Sequence, residues 1–202
     1  MASNPTWVLF DLGNVLVEYR PLGFAALAER VGAGLEELAS FVSDSGLFDA
    51  LIVGAIEPEQ ALTRFAERFG RRLSRADAVA CFRDDVSCVL PGAEALLGEL
   101  EGRVRTAVLS NTFFAHWDHF ATMPLYDRIE LPMASHLLGA AKPEHRSFEA
   151  ALERMGASPH EVVFVDDKPE NVETAAALGM QTVLSLRSVA TTRAGLAELL
   201  EL

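Results

Sequence analysis

Four short stretches of this chain carry side chains suited to gripping a phosphate or a hard cation. Asp11 follows the apolar run Trp7-Val8-Leu9-Phe10, Ser110 and Asn111 follow Thr106-Ala107-Val108-Leu109, and the pair Asp166-Asp167 follows Val162-Val163-Phe164-Val165. Lys142 stands before Pro143 in the stretch between the second and third of these. Adjacent carboxylates such as Asp166 and Asp167 repel each other unless a cation or a proton relieves them. Ser110 and Asn111 offer hydroxyl, amide and backbone donors, and a lysine adds a point positive charge. Together these types fit phosphoryl chemistry, provided that distant parts of the chain bring them to one place.

The runs before the polar residues are continuous and apolar, as in strands covered on both faces. A fourth, Thr182-Val183-Leu184, follows Gly179. Between them lie segments of helical period. Ser147 to Met155 is closed by Gly156, a run from Pro169 is stopped by Gly179, and Thr192 to Leu202 reads as a final amphipathic helix. Alternating strands and helices predict an α/β fold with a Rossmann-like parallel sheet core, whose strand ends gather at one edge where ligands bind. From Pro21 to about Ser87 the strand pattern vanishes. Helical stretches at 22–31, 35–42, 58–69 and 76–86 replace it, with glycines between them and Ser74 as an N-cap. The expected division is a core of residues 1–18 and 88–202 with a small inserted α-helical domain, 19–87, emerging at the same edge. The stripe Leu62, Phe65, Phe69 reads as that insertion's own core.

Composition narrows the partners. The 202 residues are half apolar and carry 17 basic against 29 acidic side chains, a formal net charge of -12. That field has the wrong sign for nucleic acid or an anionic membrane, so any phosphate must be held locally. No apolar run is long enough to cross a bilayer, and the opening residues lack a secretory pattern, so a cytoplasmic location is expected. Cys81 and Cys88 read as small packing residues on one helix and its exit. Nothing in the sequence speaks to oligomeric state.

Val8-Leu9-Phe10-Asp11-Leu12-Gly13-Asn14-Val15-Leu16 resembles the first motif of the haloacid dehalogenase superfamily. Val108-Leu109-Ser110-Asn111-Thr112 resembles its second motif, Lys142-Pro143 its third, and Val163-Phe164-Val165-Asp166-Asp167-Lys168-Pro169-Glu170-Asn171 its fourth. All four occur in the family's order, with the insertion at the site of its small helical cap. The wording is most similar to a branch of sugar-phosphate phosphatases that includes bacterial glucose-1-phosphate phosphatase. The resemblance implies a magnesium-dependent phosphatase of a small phosphorylated metabolite, a sugar phosphate, working through an aspartyl-phosphate on Asp11. Magnesium takes oxygen ligands. Asp11, the carbonyl of Gly13 and Asp167 would supply them, with Asp166 and Asn171 orienting the group. Ser110, Asn111 and Lys142 would then bind the phosphoryl oxygens.

One position departs from the family. Most of its phosphatases carry a second Asp two residues after the nucleophile, to protonate the leaving alcohol and then activate water; here Gly13 stands there. The similar branch also carries Gly. General acid–base help is worth about 10²–10⁴-fold, so a good leaving group, a water or an inserted residue must compensate. His116 is a candidate for the substrate pocket, titrating in the neutral range when unperturbed. His119, His136, His145 and His160 lack metal-ligand spacing and read as surface groups, and Arg20 as part of a solvated hinge. Two other readings stay open: a 2-haloacid dehalogenase using the same Asp, which needs no Asp at position 13 but leaves the acidic pair idle, and a non-catalytic protein that binds a phosphorylated ligand.

Overall fold

The computed structural model describes residues 5–200. Its strands are β1 Trp7–Phe10, β2 Val17–Glu18, β3 Cys88–Val89, β4 Arg105–Ser110, β5 Leu131–Ala134, β6 Val162–Asp166 and β7 Gln181–Leu184. Helices α1 to α5 are Gly23–Val31, Leu35–Asp44, Leu47–Ile52, Pro58–Phe69 and Arg75–Phe82. Helices α6 to α11 are Ala93–Leu100, Phe114–Phe120, Ser135–Leu138, His145–Met155, Pro169–Ala177 and Val189–Leu200.

Five parallel strands form one sheet in the order β5-β4-β1-β6-β7. Central β1 is wholly buried because helices cover both faces. Val8 and Phe10 meet Leu96, Leu97 and Leu100 of α6 and Leu196 of α11, whereas Trp7 and Leu9 meet Phe148, Ala151 and Met155 of α9. Phe10 pairs with Val165 and with Val108. The next residues therefore reach the carboxyl edge together, and Asp11 donates its N–H to Val165 at 2.7 Å.

The expected α/β architecture is present, with local differences. The edge strand β5 lies in a stretch left unassigned by sequence: it is only four residues long and holds Pro132, which an edge tolerates because it lacks a donor. The two-residue pair β2–β3 places Val17 opposite Val89 and Glu18 opposite Cys88. Cys88 is thus exposed on a strand, not packed at a helix exit; Cys81 is half-buried. The stretch expected as helix over 76–86 closes at Phe82 and tightens into a 3₁₀ turn at Arg83–Asp85. Residues 201–202 of the expected last helix, and residues 1–4 of the opening segment, lie outside the described residues.

Helices α1–α5 form a second apolar cluster around Leu38, Leu47 and Phe65, which confirms the packing role of Leu62 and Phe65. Ser74 caps α5 as expected, its Oγ accepting the Asp77 N–H at 3.1 Å. Phe113 and Phe114, just beyond β4, insert into this cluster. The group also touches the sheet side where Ser135 Oγ donates to the Ile52 carbonyl at 2.6 Å. At Gly54, φ is +64° and a Cβ would stand 2.1 Å from the His136 carbonyl, so the close approach there requires glycine.

Candidate active site

The carboxyl edge of the sheet opens into a cavity of about 360 Å³. Asp11, Gly13, Ser110, Asn111, Lys142 and Asp167 all line it, and α3 closes it from above with Phe48, Asp49 and Ile52. Lys142 enters from the loop before α9. Its ammonium donates to Asp11 Oδ1 and to Asp166 Oδ2, each at 2.7 Å, with only 1% of the side chain exposed.

Each partner is itself held. Asn111 Nδ2 donates to the Lys142 carbonyl at 2.7 Å, and its Oδ1 accepts the Lys142 N–H at 2.8 Å. The Asn111 amide therefore fixes the lysine loop with its oxygen and one N–H, while the residue still lines the cavity. Asp166 accepts from Lys142, from Asn171 Nδ2 at 2.9 Å and from the Lys168 N–H at 2.9 Å. With no exposed surface, Asp166 orients Lys142 instead of facing the cavity. Ser110 Oγ has no hydrogen-bond partner among the described residues, yet no buried polar atom there is unpartnered; it opens onto the cavity.

Asp11, Asp166 and Asp167 each bring a carboxylate oxygen within 4.8 Å of the others. Asp167 Oδ2 accepts from Asn14 Nδ2 and Arg187 Nε, both at 3.2 Å, while Oδ1 has no donor among the described residues. The negative charge is in surplus. Burial lifts the Asp11 acid from 3.8 to about 6, opposed by the Lys142 charge and reinforced by Asp166. Burial also works against the Lys142 charge, but the two carboxylates outweigh it and hold the ammonium above its ordinary pKa. An open oxygen on Asp167 beside a carboxylate reluctant to ionise is a donor set that suits a hard divalent cation.

His116 is buried and lines the cavity, and its Nε2 faces Asp85 Oδ2 at 3.0 Å. Asp85, Asp49 and Arg187 drew no attention in the sequence. Asp85 and Arg187 meet the site through partners far along the chain, whereas Asp49 lines the cavity from a helix of only six residues. Tyr19 lies on the cavity wall. Arg20 is exposed and pairs with Glu18. His136, expected at the surface, is half-buried with Nδ1 3.0 Å from the Thr112 carbonyl.

The family model for haloacid dehalogenase-like hydrolases matches residues 5–179. The chain belongs to that family. Among its relatives, the sesquiterpene phosphatase astK of Aspergillus oryzae is 29% identical over 187 residues, 91% of each chain. A haloacid dehalogenase family enzyme of Bacteroides thetaiotaomicron is 26% identical, with a TM-score of 0.78 over 90% of this chain and 94% of that one. The same enzyme, solved in complex with magnesium and inorganic phosphate, matches with a TM-score of 0.77 at 25% identity and the same coverage. Placed in this family, the polar groups at the sheet edge coincide with the four motifs read from sequence.

Proposed function

We propose that this hydrolase is a magnesium-dependent phosphomonoesterase acting on a small phosphorylated metabolite through an aspartyl-phosphate on Asp11. One observation carries the reading: a buried ammonium bridges Asp11 and Asp166 while Asp167 keeps an oxygen open beside them. Magnesium, held by Asp11, the Gly13 carbonyl and Asp167 with Asp166 behind them, would neutralise charge on the phosphoryl oxygens and keep Asp11 ionised.

The chain's own groups do the rest. Asp11 attacks phosphorus, and the ester oxygen departs with its electron pair. Two of the three Lys142 protons are engaged by carboxylates, leaving the third for a phosphoryl oxygen. Ser110 donates its hydroxyl to another. Residues 19–87 act as a cap, since α3 stands over the same cavity. Among the described residues no helix is long and apolar enough to cross a membrane.

Sugar phosphates are the first substrates to test, on the likeness of the first motif to that branch. The wall supports a second class. Tyr19, Phe48, Ile52, Val86 and Trp117 present mostly hydrocarbon, and the likeness to a sesquiterpene phosphatase adds terpene phosphates. Phosphate release is measured over both classes with and without chelator. Release that needs magnesium and vanishes in Asp11→Asn supports the proposal. Chelator-insensitive halide release from 2-chloropropionate, or magnesium-dependent binding of the esters without phosphate release, would refute it.

A further inference from the structure

The proposed displacement leaves one atom unserved. An ester oxygen departing from phosphorus needs a proton unless it is a stable anion, and Gly13 has no side chain to give one. In an in-line attack by Asp11 the leaving oxygen lies on the far side of phosphorus from Asp11. His116 lines the same cavity as Asp11. Its ring packs against Phe113 at 4.7 Å, Phe82 at 5.5 Å and Tyr19 at 6.0 Å between centroids. Asp85, 1% exposed, holds Nε2 at 3.0 Å with one oxygen. Its other oxygen accepts the N–H groups of Leu22 and Gly23 at 2.9 and 2.7 Å. The carboxylate is thus fixed by backbone, and the ring by the carboxylate. Nδ1 has no partner among the described residues, and since no buried polar atom there lacks one, Nδ1 opens onto the cavity that His116 lines.

Resting on the phosphomonoesterase reading, we infer that His116 is the general acid and base of this site and that Asp85 is its positioning residue. As the P–O bond to the alcohol breaks, the Nδ1 proton passes to the departing oxygen, releasing the alcohol and leaving a neutral ring. That ring takes a proton from the water that attacks the aspartyl-phosphate. The P–O bond to Asp11 then breaks, restoring the carboxylate and the charged ring. A histidine oriented by a buried carboxylate is a known arrangement for proton transfer. Asp49 and Lys168 also reach the cavity, but both are exposed and neither is oriented by a buried partner.

The test uses the dependence on leaving group. Values of kcat/KM, which report steps up to departure of the alcohol, are measured with magnesium for benzyl phosphate, which leaves as an alkoxide, and for p-nitrophenyl phosphate, which leaves as a stabilised phenolate. His116→Gln is expected to lose about 100-fold or more on the benzyl ester and at least tenfold less than that on the nitrophenyl ester. Asp85→Asn should show the same leaning to a smaller extent, which a merely structural defect would not give. Equal losses on the two esters, or the selective loss appearing in Asp49→Asn instead, overturn the assignment and leave the phosphatase reading standing. No phosphate from either ester, nor from the sugar and terpene phosphates screened with magnesium, overturns both. Because His116 is buried, the wild type supplies a second reading that needs no variant: across a series of aryl and alkyl phosphates a shallow dependence on leaving-group basicity is expected, and a steep one excludes any proton donor.

Discussion

The sheet edge and the helical group over it are built from opposite materials. At the edge, Asp11, Lys142, Asp166, Asn111 and Asn171 hold one another through hydrogen bonds of 2.7–2.9 Å, with little freedom left. Above it, α1–α5 cohere through aliphatic contacts and aromatic edges such as Phe24–Phe82, Phe48–Phe113 and Phe82–Phe113. Directional bonds fix where charge goes; apolar packing fixes only shape. On the proposed function, the edge therefore holds the charged groups that act on phosphorus, and the helices shape the space above them.

Removing the carboxylate at the edge should have the largest effect. Asp11→Asn is expected to cut phosphate release by about 10³-fold or more, measured with magnesium at neutral pH. The same change should strengthen the metal-free fold. The folded-state acid lies near 6 against 3.8 when unperturbed, so between those values the folded form holds a proton that the unfolded chain has lost. Stability without metal thus falls as pH rises through that window, and above it Asp11→Asn recovers up to about 3 kcal/mol. Denaturant unfolding at pH 8 with chelator checks this.

Lys142→Met leaves Asp166 buried beside Asp11 without a cation and should cost about 3–5 kcal/mol in the same measurement. On the other side of the comparison, Phe113→Ala opens the seam where the edge meets the helical cluster and should cost about 3 kcal/mol. Magnesium at 100 times its dissociation constant should add about 2.7 kcal/mol to the wild type. That gain should vanish in Asp167→Asn and persist in Asp49→Asn, which changes only the helical roof. The smallest effect lies at His136, on the seam. Burial holds its pKa below 6.5, so the unfolded chain takes up a proton first, and stability falls as pH drops below that value. His136→Gln should flatten this acid-side loss in a pH series of melting temperatures.

The same contrast explains what could be read from sequence. Asp11, Ser110, Lys142 and Asp167 each close a local pattern, an apolar strand or a motif, so their meeting at one edge was foreseeable. Helix α3 was not: six residues between Gly46 and Gly54 are too few to show a helical period, though they form the cavity roof. The engagement of the Asn111 amide by Lys142 and the pairing of Asp85 with His116 each span 31 positions, and no local spacing encodes them. Arg187 reaches Asp167 from a loop whose sequence carries no motif.

The bridge made by Lys142 has a consequence for rate. Its ammonium is desolvated and aimed while the protein folds, so, on the proposed function, a phosphate entering the cavity meets a dipole field that does not have to turn. Water around a free ion pair would need to rearrange as charge moves, and here that rearrangement has been done in advance.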